Sequence, residues 1–232
     1  MNDTAISLRL GAWWEANARD LPWRFGRATP WGVLVSEVMS QQTQMSRVVP
    51  YWNDWMARWP DARALAAAPK ADVITAWGRL GYPRRALRLQ ECARVVAEEY
   101  GDELPRTYDE LVALPGIGDY TASAVLSFAF GERIAVIDTN IRRVLSRVFL
   151  GTESRGGAAS PAERALANRM LPPRQGLWGR CRLHGPCIPI RRTHFPAAQR
   201  TSIGHVESVG DGIGRGGLHS QDAVMRDLPD CG

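Results

Sequence analysis

A chain of 232 residues, 45% of them apolar, is long enough to bury a real core in one or two compact domains. No apolar run approaches the eighteen residues of a membrane-spanning helix, and Met1–Arg9 holds no signal-peptide-like stretch, so a cytoplasmic protein with no membrane partner is expected. The net charge of +5 is almost wholly arginine, with Lys70 the only lysine; this suits phosphate backbones and equally a G+C-rich genome, so charge alone decides little.

Segment 4–19 spaces Ile6, Leu10, Trp13 and Trp14 roughly as one helical face. Segment 31–41 is apolar on nearly every side except Glu37 and its last turn, the pattern of a buried helix. Segments 44–58, 61–67, 70–78 and 84–99 also read as helices, with Pro50 expected to kink or break the first. The eight tryptophans before residue 80 read as core. Helix 107–113 is followed by helix 119–130, whose Ala122, Val125, Leu126, Ala129 and Phe130 share one face. A short apolar run, Ile134–Ile137, leads into helix 139–149. No alternating strand pattern occurs, and the fold class is all-α.

Beyond Pro172 the character changes. All four histidines, three of the four cysteines and a cluster of glycines (Gly210, Gly212, Gly214, Gly216, Gly217) lie there. Glycine loses the most backbone entropy on ordering, so residues 172–232 are expected to form an aberrant, disordered tail after a change of reading frame, a truncation or divergence.

Between the helices 107–113 and 119–130 stands Leu114-Pro115-Gly116-Ile117-Gly118. Two glycines at i and i+2 permit positive φ in a tight turn and bare backbone N–H groups beside a helix N-terminus. Such a turn holds a DNA phosphate without reading sequence, and it is also an ordinary helix connection.

The run L-P-G-I-G-D-Y-T-A-S-A-V-L, then V-I-D-T-N-I-R-R-V-L-S-R, resembles the helix-hairpin-helix and Gly/Pro-Asp loop of the DNA glycosylases related to endonuclease III. S-E-V-M-S-Q-Q-T-Q and R-L-G-Y upstream match the same family, so the resemblance covers about Ile6 to Leu171. It implies two helical subdomains with the active site in the cleft between them. A six-helix subdomain of about 25–133 would be inserted between 1–24 and 134–171. It also implies a monomer acting on double-stranded DNA with a mispaired or oxidised base. Within the family the chain is most similar to the adenine glycosylases, which remove adenine mispaired with oxidised guanine.

Breaking an N-glycosidic bond needs a proton for the leaving base and a negative charge or nucleophile for the oxocarbenium-like sugar. Two carboxyls in unlike surroundings divide those tasks. Asp138, at the start of helix 139–149, is placed to accept first-turn N–H bonds, which favour its ionised form; alone it reads as a helix cap. Glu37, with Val33 and Leu34 one turn before it, has an apolar surround that favours its proton; alone it reads as a buried, hydrogen-bonded glutamate. The resemblance makes Asp138 the catalytic aspartate and Glu37 the acid that protonates adenine. Tyr120 holds the position of the lysine in strand-cleaving relatives, so Schiff-base chemistry is not expected. Asn140 is placed to hydrogen-bond the reacting centre.

A base inside a duplex must be flipped out before it is cut. Gln41, Gln42 and Thr43 resemble the family's wedge, and Tyr82 its intercalating aromatic; Leu114, Gly116 and Gly118 belong to the phosphate-binding hairpin. Ser40 stands where the family more usually has leucine. The family's four cysteines, spaced C-x6-C-x2-C-x5-C for a [4Fe–4S] cluster, are not matched by Cys92, Cys181, Cys187 and Cys231, so no cofactor and no metal are expected. An adenine glycosylase is the leading expectation. An endonuclease III-like enzyme for oxidised pyrimidines and a catalytically impaired DNA-binding remnant are the alternatives.

Overall fold

In the computed structural model, residues 3–154 and 157–171 are described, and all lie in one compact unit. Ten α-helices run in chain order: α1 Asp3–Asn17, α2 Pro30–Ser40, α3 Met45–Arg58, α4 Ala62–Ala67, α5 Lys70–Trp77, α6 Arg84–Glu99, α7 Tyr108–Ala113, α8 Asp119–Phe128, α9 Thr139–Leu145 and α10 Pro161–Met170. A 3-10 turn, Gly78–Leu80, follows α5, and a π turn, Ser146–Leu150, continues α9. No strand occurs among the described residues, as the sequence led us to expect, and none of the described helices is long and apolar enough to cross a membrane.

The hub is α2. Thr29 caps it, its hydroxyl accepting from the Gly32 N–H, and Pro30 opens it where a missing N–H costs nothing. All its residues from Trp31 to Met39 are buried except Glu37, which is half-buried. It packs against α3, α6 and α8. Gly32 lets α3 come close, since a Cβ there would stand 3.2 Å from the Trp52 ring, and the Trp52 indole N–H donates to the Gly32 carbonyl at 2.8 Å. Around α2 a core runs from Leu21 to Ala129, with the Trp23–Trp52, Trp55–Trp59 and Trp55–Trp77 ring pairs inside it.

A second, smaller cluster joins Leu145 of α9 to Leu166 and Ala167 of α10, with Ala135, Ile137, Phe149 and Met170 packed on it. A buried ion pair fixes it: Arg142 donates to Glu163 at 3.1 and 3.2 Å, while Glu163 accepts the Ser160 N–H at 2.7 Å in a capping box. The Ser160 backbone bond and Arg142 hold the Glu163 carboxyl down to about 2. Asp119 of α8 ties the two clusters together, accepting both arms of Arg164 of α10 at 2.9 and 2.7 Å and the Tyr108 hydroxyl at 2.7 Å.

Three expectations need correction. Pro50 does not break α3, which continues through it, so of the kink and the break expected there the break is excluded. Its ring removes one i→i−4 bond, to the Ser46 carbonyl, and the buried Val48, Trp52 and Trp55 on either side hold the helix in place. The tryptophans are not all core: Trp13 is 58% exposed and Trp14 half-buried, because α1 meets α10 near its start, Ser7 donating to the Met170 carbonyl at 2.7 Å, and leaves Leu8 and Leu10 exposed with Trp13. Helix 119–130 ends at Phe128, although Ala129 is buried and Phe130 still packs on the core.

Candidate functional site

The turn between α7 and α8 is built from inside outward. Leu114 and Ile117 are buried and anchor it, so Leu114 serves through its backbone and its packing. Gly116 has φ +78, a left-handed conformation, and a Cβ there would stand 3.1 Å from Cβ of Arg88 on α6. Gly118 differs from the expectation that both glycines supply positive φ: it is extended (φ −104, ψ 177) and is the N-cap of α8. With no side chain at the cap, nothing of its own covers the first-turn N–H groups of α8, which have no partner within the helix. Both glycines are exposed, so the positively polarised N-terminus of α8 lies open beside the turn.

From the same first turn Tyr120 projects inward. Its hydroxyl hydrogen-bonds the Glu37 carboxylate of α2, and it feels the charge of Asp138 from the N-terminus of α9. Thus the structure brings Glu37, Tyr120 and Asp138 together at the seam of the two cores. Burial pushes the Glu37 carboxyl above its ordinary range; the Tyr120 hydrogen bond and the Arg24 charge pull against this without cancelling it. Burial, then the Glu37 and Asp138 charges, push the Tyr120 phenol well up, so it remains a donor. Arg24, held over the Trp14 ring at 4.7 Å, belongs to this site although no spacing in the sequence marks it.

Asp138 caps α9: Oδ1 accepts the Ile141 N–H at 2.7 Å, and Oδ2 accepts the Asn140 side-chain amide at 3.2 Å. The Asn140 amide therefore orients Asp138. Lys70 is exposed at the first position of α5.

The turn after α2 carries Gln41, half-buried, and Gln42, exposed with φ 54. Thr43 faces inward, its hydroxyl 3.1 Å from the Leu80 carbonyl and 3.2 Å from that of Gln41. Tyr82 is 65% exposed with φ 48, so core packing does not explain it. Ser40 bonds back to the Ser36 carbonyl at 2.6 Å. Sequence reasoning passed over Arg85 and Arg88; the run Arg84-Arg85 with Arg88 one turn on was the available signal.

Of the four cysteines, Cys92 is in the core and burial pushes its thiol up to about 12. It sits among the packed side chains of α6, far in the sequence from the other three cysteines. Cys181, Cys187 and Cys231 lie outside the described residues, as does the whole 172–232 tail. Among the described residues no group of three or more His, Cys, Asp or Glu is placed to hold a metal.

Comparison with known proteins places the chain in a family. Residues 35–169 match the family model described as HhH-GPD superfamily base excision DNA repair protein. The chain is 49% identical over 164 residues to an adenine DNA glycosylase of Mycobacterium tuberculosis (strain ATCC 25618 / H37Rv), covering 71% of this chain and 54% of that protein. It is 50% identical over 166 residues to one of Mycolicibacterium smegmatis (72% and 56%), and 42% identical over 180 residues to the human one (73% and 33%). The chain thus spans about half the length of the mycobacterial relatives and a third of the human one. Among solved structures, a thermostable thymine-DNA glycosylase superposes with TM-score 0.69 at 28% identity, covering 78% of this chain and 81% of that one. An endonuclease III trapped covalently on DNA shares the fold at TM-score 0.61 and 24% identity, over 74% of this chain and 79% of that one. With a family model matching more than half of its length, the chain belongs to the HhH-GPD superfamily of base excision DNA repair proteins.

Proposed function

We propose that this chain is a monofunctional DNA N-glycosylase that hydrolyses the bond between deoxyribose and an adenine lying opposite 8-oxoguanine or guanine. One observation carries the reading: a carboxyl on a buried helix, raised by burial, shares Tyr120 with a second carboxylate, itself held by backbone and amide donors. Burial favours the protonated form of Glu37, which gives its proton to a ring nitrogen of the extruded adenine, so the base leaves neutral. The Asp138 carboxylate offsets the positive charge that grows on the sugar, and water completes the hydrolysis. Tyr120 orients Glu37, and Asn140 orients Asp138. No amine stands at this place, so a Schiff base and strand cleavage are not part of the reaction.

Outside the reacting centre, the hairpin at Gly116 and Gly118 binds one phosphate, Gln41–Thr43 forms the wedge that fills the vacated stack, and Tyr82 intercalates beside the opposite base. The reading takes 25–133 as a subdomain inserted between 1–24 and 134–171, and 172–232 as a separate tail. It includes no [4Fe–4S] cluster, because Cys92, Cys181, Cys187 and Cys231 do not have the four-cysteine spacing such a cluster takes and no step of the chemistry needs one. The names of the relatives support the choice of adenine.

The test is a single-turnover glycosylase assay on three duplexes, holding adenine opposite 8-oxoguanine, adenine opposite guanine, and thymine glycol. Release of adenine from the first two alone is expected. Release from thymine glycol alone would move the enzyme to oxidised pyrimidines. DNA binding without release from any would leave a binding protein in place of an enzyme.

A further inference from the structure

The two side chains assigned to DNA distortion stand on different turns, 40 residues apart in the sequence, and one guanidinium holds both turns. Arg85, near the start of α6, sends Nη1 to the Val38 carbonyl at 2.9 Å and the Gln41 carbonyl at 2.5 Å. Its Nη2 reaches the Leu80 carbonyl at 3.0 Å, the Gly81 carbonyl at 3.1 Å and the Thr43 hydroxyl at 3.3 Å. The Thr43 hydroxyl stitches the same two turns again, lying 3.1 Å from the Leu80 carbonyl. The guanidinium also lies 5.3 Å from the Trp77 ring centroid and 5.6 Å from that of Tyr82.

These acceptors are informative. The Val38 carbonyl belongs to the last turn of α2, which has no helical partner and favours a cation. Leu80 and Gly81 end the 3-10 turn and lead directly into Tyr82. Gln42 and Tyr82 both carry positive φ, at 54 and 48, a strained backbone for residues other than glycine. Such strain persists only where the surroundings over-determine it. The two terminal amino groups of a planar guanidinium do that, reaching acceptors on both turns; a lysine ammonium, with three donors at one point, does not span both turns.

We propose that Arg85 is a positioning residue that locks Gln42 and Tyr82 into one rigid two-pronged unit, so that wedge and intercalator enter the duplex together when adenine is extruded. The proposal rests on the glycosylase reading above. Arg85 touches neither adenine nor sugar, so its replacement slows extrusion and spares bond cleavage.

The experiment compares wild type, Arg85→Lys and Thr43→Val, the last a milder loosening of the same clasp, all below their melting temperatures. Single-turnover release is measured for adenine opposite guanine and for adenine opposite an abasic-site analogue, where extrusion costs little. Arg85→Lys is expected to slow release from the paired duplex by about tenfold to a hundredfold, the scale of a mispositioned group, and to spare release from the unpaired one. Thr43→Val follows in the same direction with a smaller loss. In a Tyr82→Ala background, Arg85→Lys should add little further, because its effect passes through that ring. Equal losses on both duplexes, or effects that simply add, would overturn the proposal while leaving the glycosylase reading intact. A wild type that releases base from neither duplex would overturn that reading instead. Fluorescence of 2-aminopurine at the target position then tests Arg85 without chemistry: unstacking must be weaker in Arg85→Lys, and an equal signal refutes the clasp.

Discussion

The two glycines of the hairpin should separate cleanly on mutation. Gly116 sits at φ +78, where a left-handed residue other than glycine costs about 1–2 kcal/mol. The added methyl also stands 3.1 Å from Cβ of Arg88, an atom fixed to α6, so hairpin and helix must part by a few tenths of an ångström. That adds about 1 kcal/mol, the low end of overpacking penalties. The stiffer unfolded chain returns about 0.4–1 kcal/mol. Gly116→Ala should therefore lose roughly 1–2.5 kcal/mol, seen as a fall in Tm of roughly 2–10 °C for a domain of this size. Gly118 has φ −104 and open space around its missing Cβ, so Gly118→Ala should leave Tm unchanged. It should instead weaken DNA binding about tenfold, since its methyl would take up the open space a phosphate needs beside the α8 N–H groups and one charge-assisted bond to phosphate is worth about 1.5 kcal/mol. Thermal denaturation and fluorescence anisotropy at low salt read the two effects. If Gly118→Ala melts like Gly116→Ala and binds DNA like the wild type, the turn is a helix connection and not a phosphate site.

Asp138→Asn should abolish base release while leaving DNA affinity within a few-fold, and Glu37→Gln should slow it by about 10²–10⁴, the usual yield of a general acid; a wild-type single-turnover rate in either variant would remove that residue from the mechanism. Because burial raises the Glu37 carboxyl in the folded protein, the stability it contributes is present at low pH and lost as pH rises through its folded value, so Glu37→Gln should flatten that part of the pH–stability curve measured by urea denaturation. Borohydride with substrate DNA should trap no covalent adduct, and a strong adduct lost in Lys70→Ala would restore a lysine mechanism. Glu163→Ala should destabilise by about 3–5 kcal/mol by stranding Arg142 in the second core; in the wild type, the Glu163 contribution should be present above the ordinary glutamate range and fade as pH falls towards about 2. Reconstitution with iron and sulfide without oxygen should give no stoichiometric band near 400 nm, and one abolished by Cys181→Ser would contradict the absence of a cluster.

Much of this was legible in the sequence because it is local. Helix α6 begins and ends where its periodicity says, and α2 is buried as its apolar run requires. Glu37 and Asp138 could be singled out because a carboxylate in an apolar helix and one at a helix start are each visible within a few residues. What escaped was long-range. Nothing in a helical pattern tells which face of α1 finds a partner, so Trp13 was wrongly placed in the core. The geometric difference between Gly116 and Gly118 depends on how α6 leans on the hairpin, and the roles of Arg24 and Arg85 depend on carbonyls and charges from distant turns. Arginine is common in this chain, so its functional members cannot be told from the rest until their acceptors are known.

The first turn of α8 carries three tasks at once, and they constrain one another. Its N–H groups face the proposed phosphate, so a carboxylate at Asp119 ought to repel that ligand. Arg164 removes the conflict: its two bonds hold Asp119 ionised, well below the usual carboxylate range, and make the pair neutral as a unit. The same pair spans from α8 to α10 and so fixes how the second core, with Asp138 on α9, meets the first, with Glu37 on α2. One residue on, Tyr120 bonds Glu37 while sensing Asp138. A shift of α8 large enough to loosen the phosphate contact would therefore also misalign the acid and the stabilising carboxylate. On the proposed function, DNA grip and proton transfer would share this one turn, and a change that tunes either would reach the other.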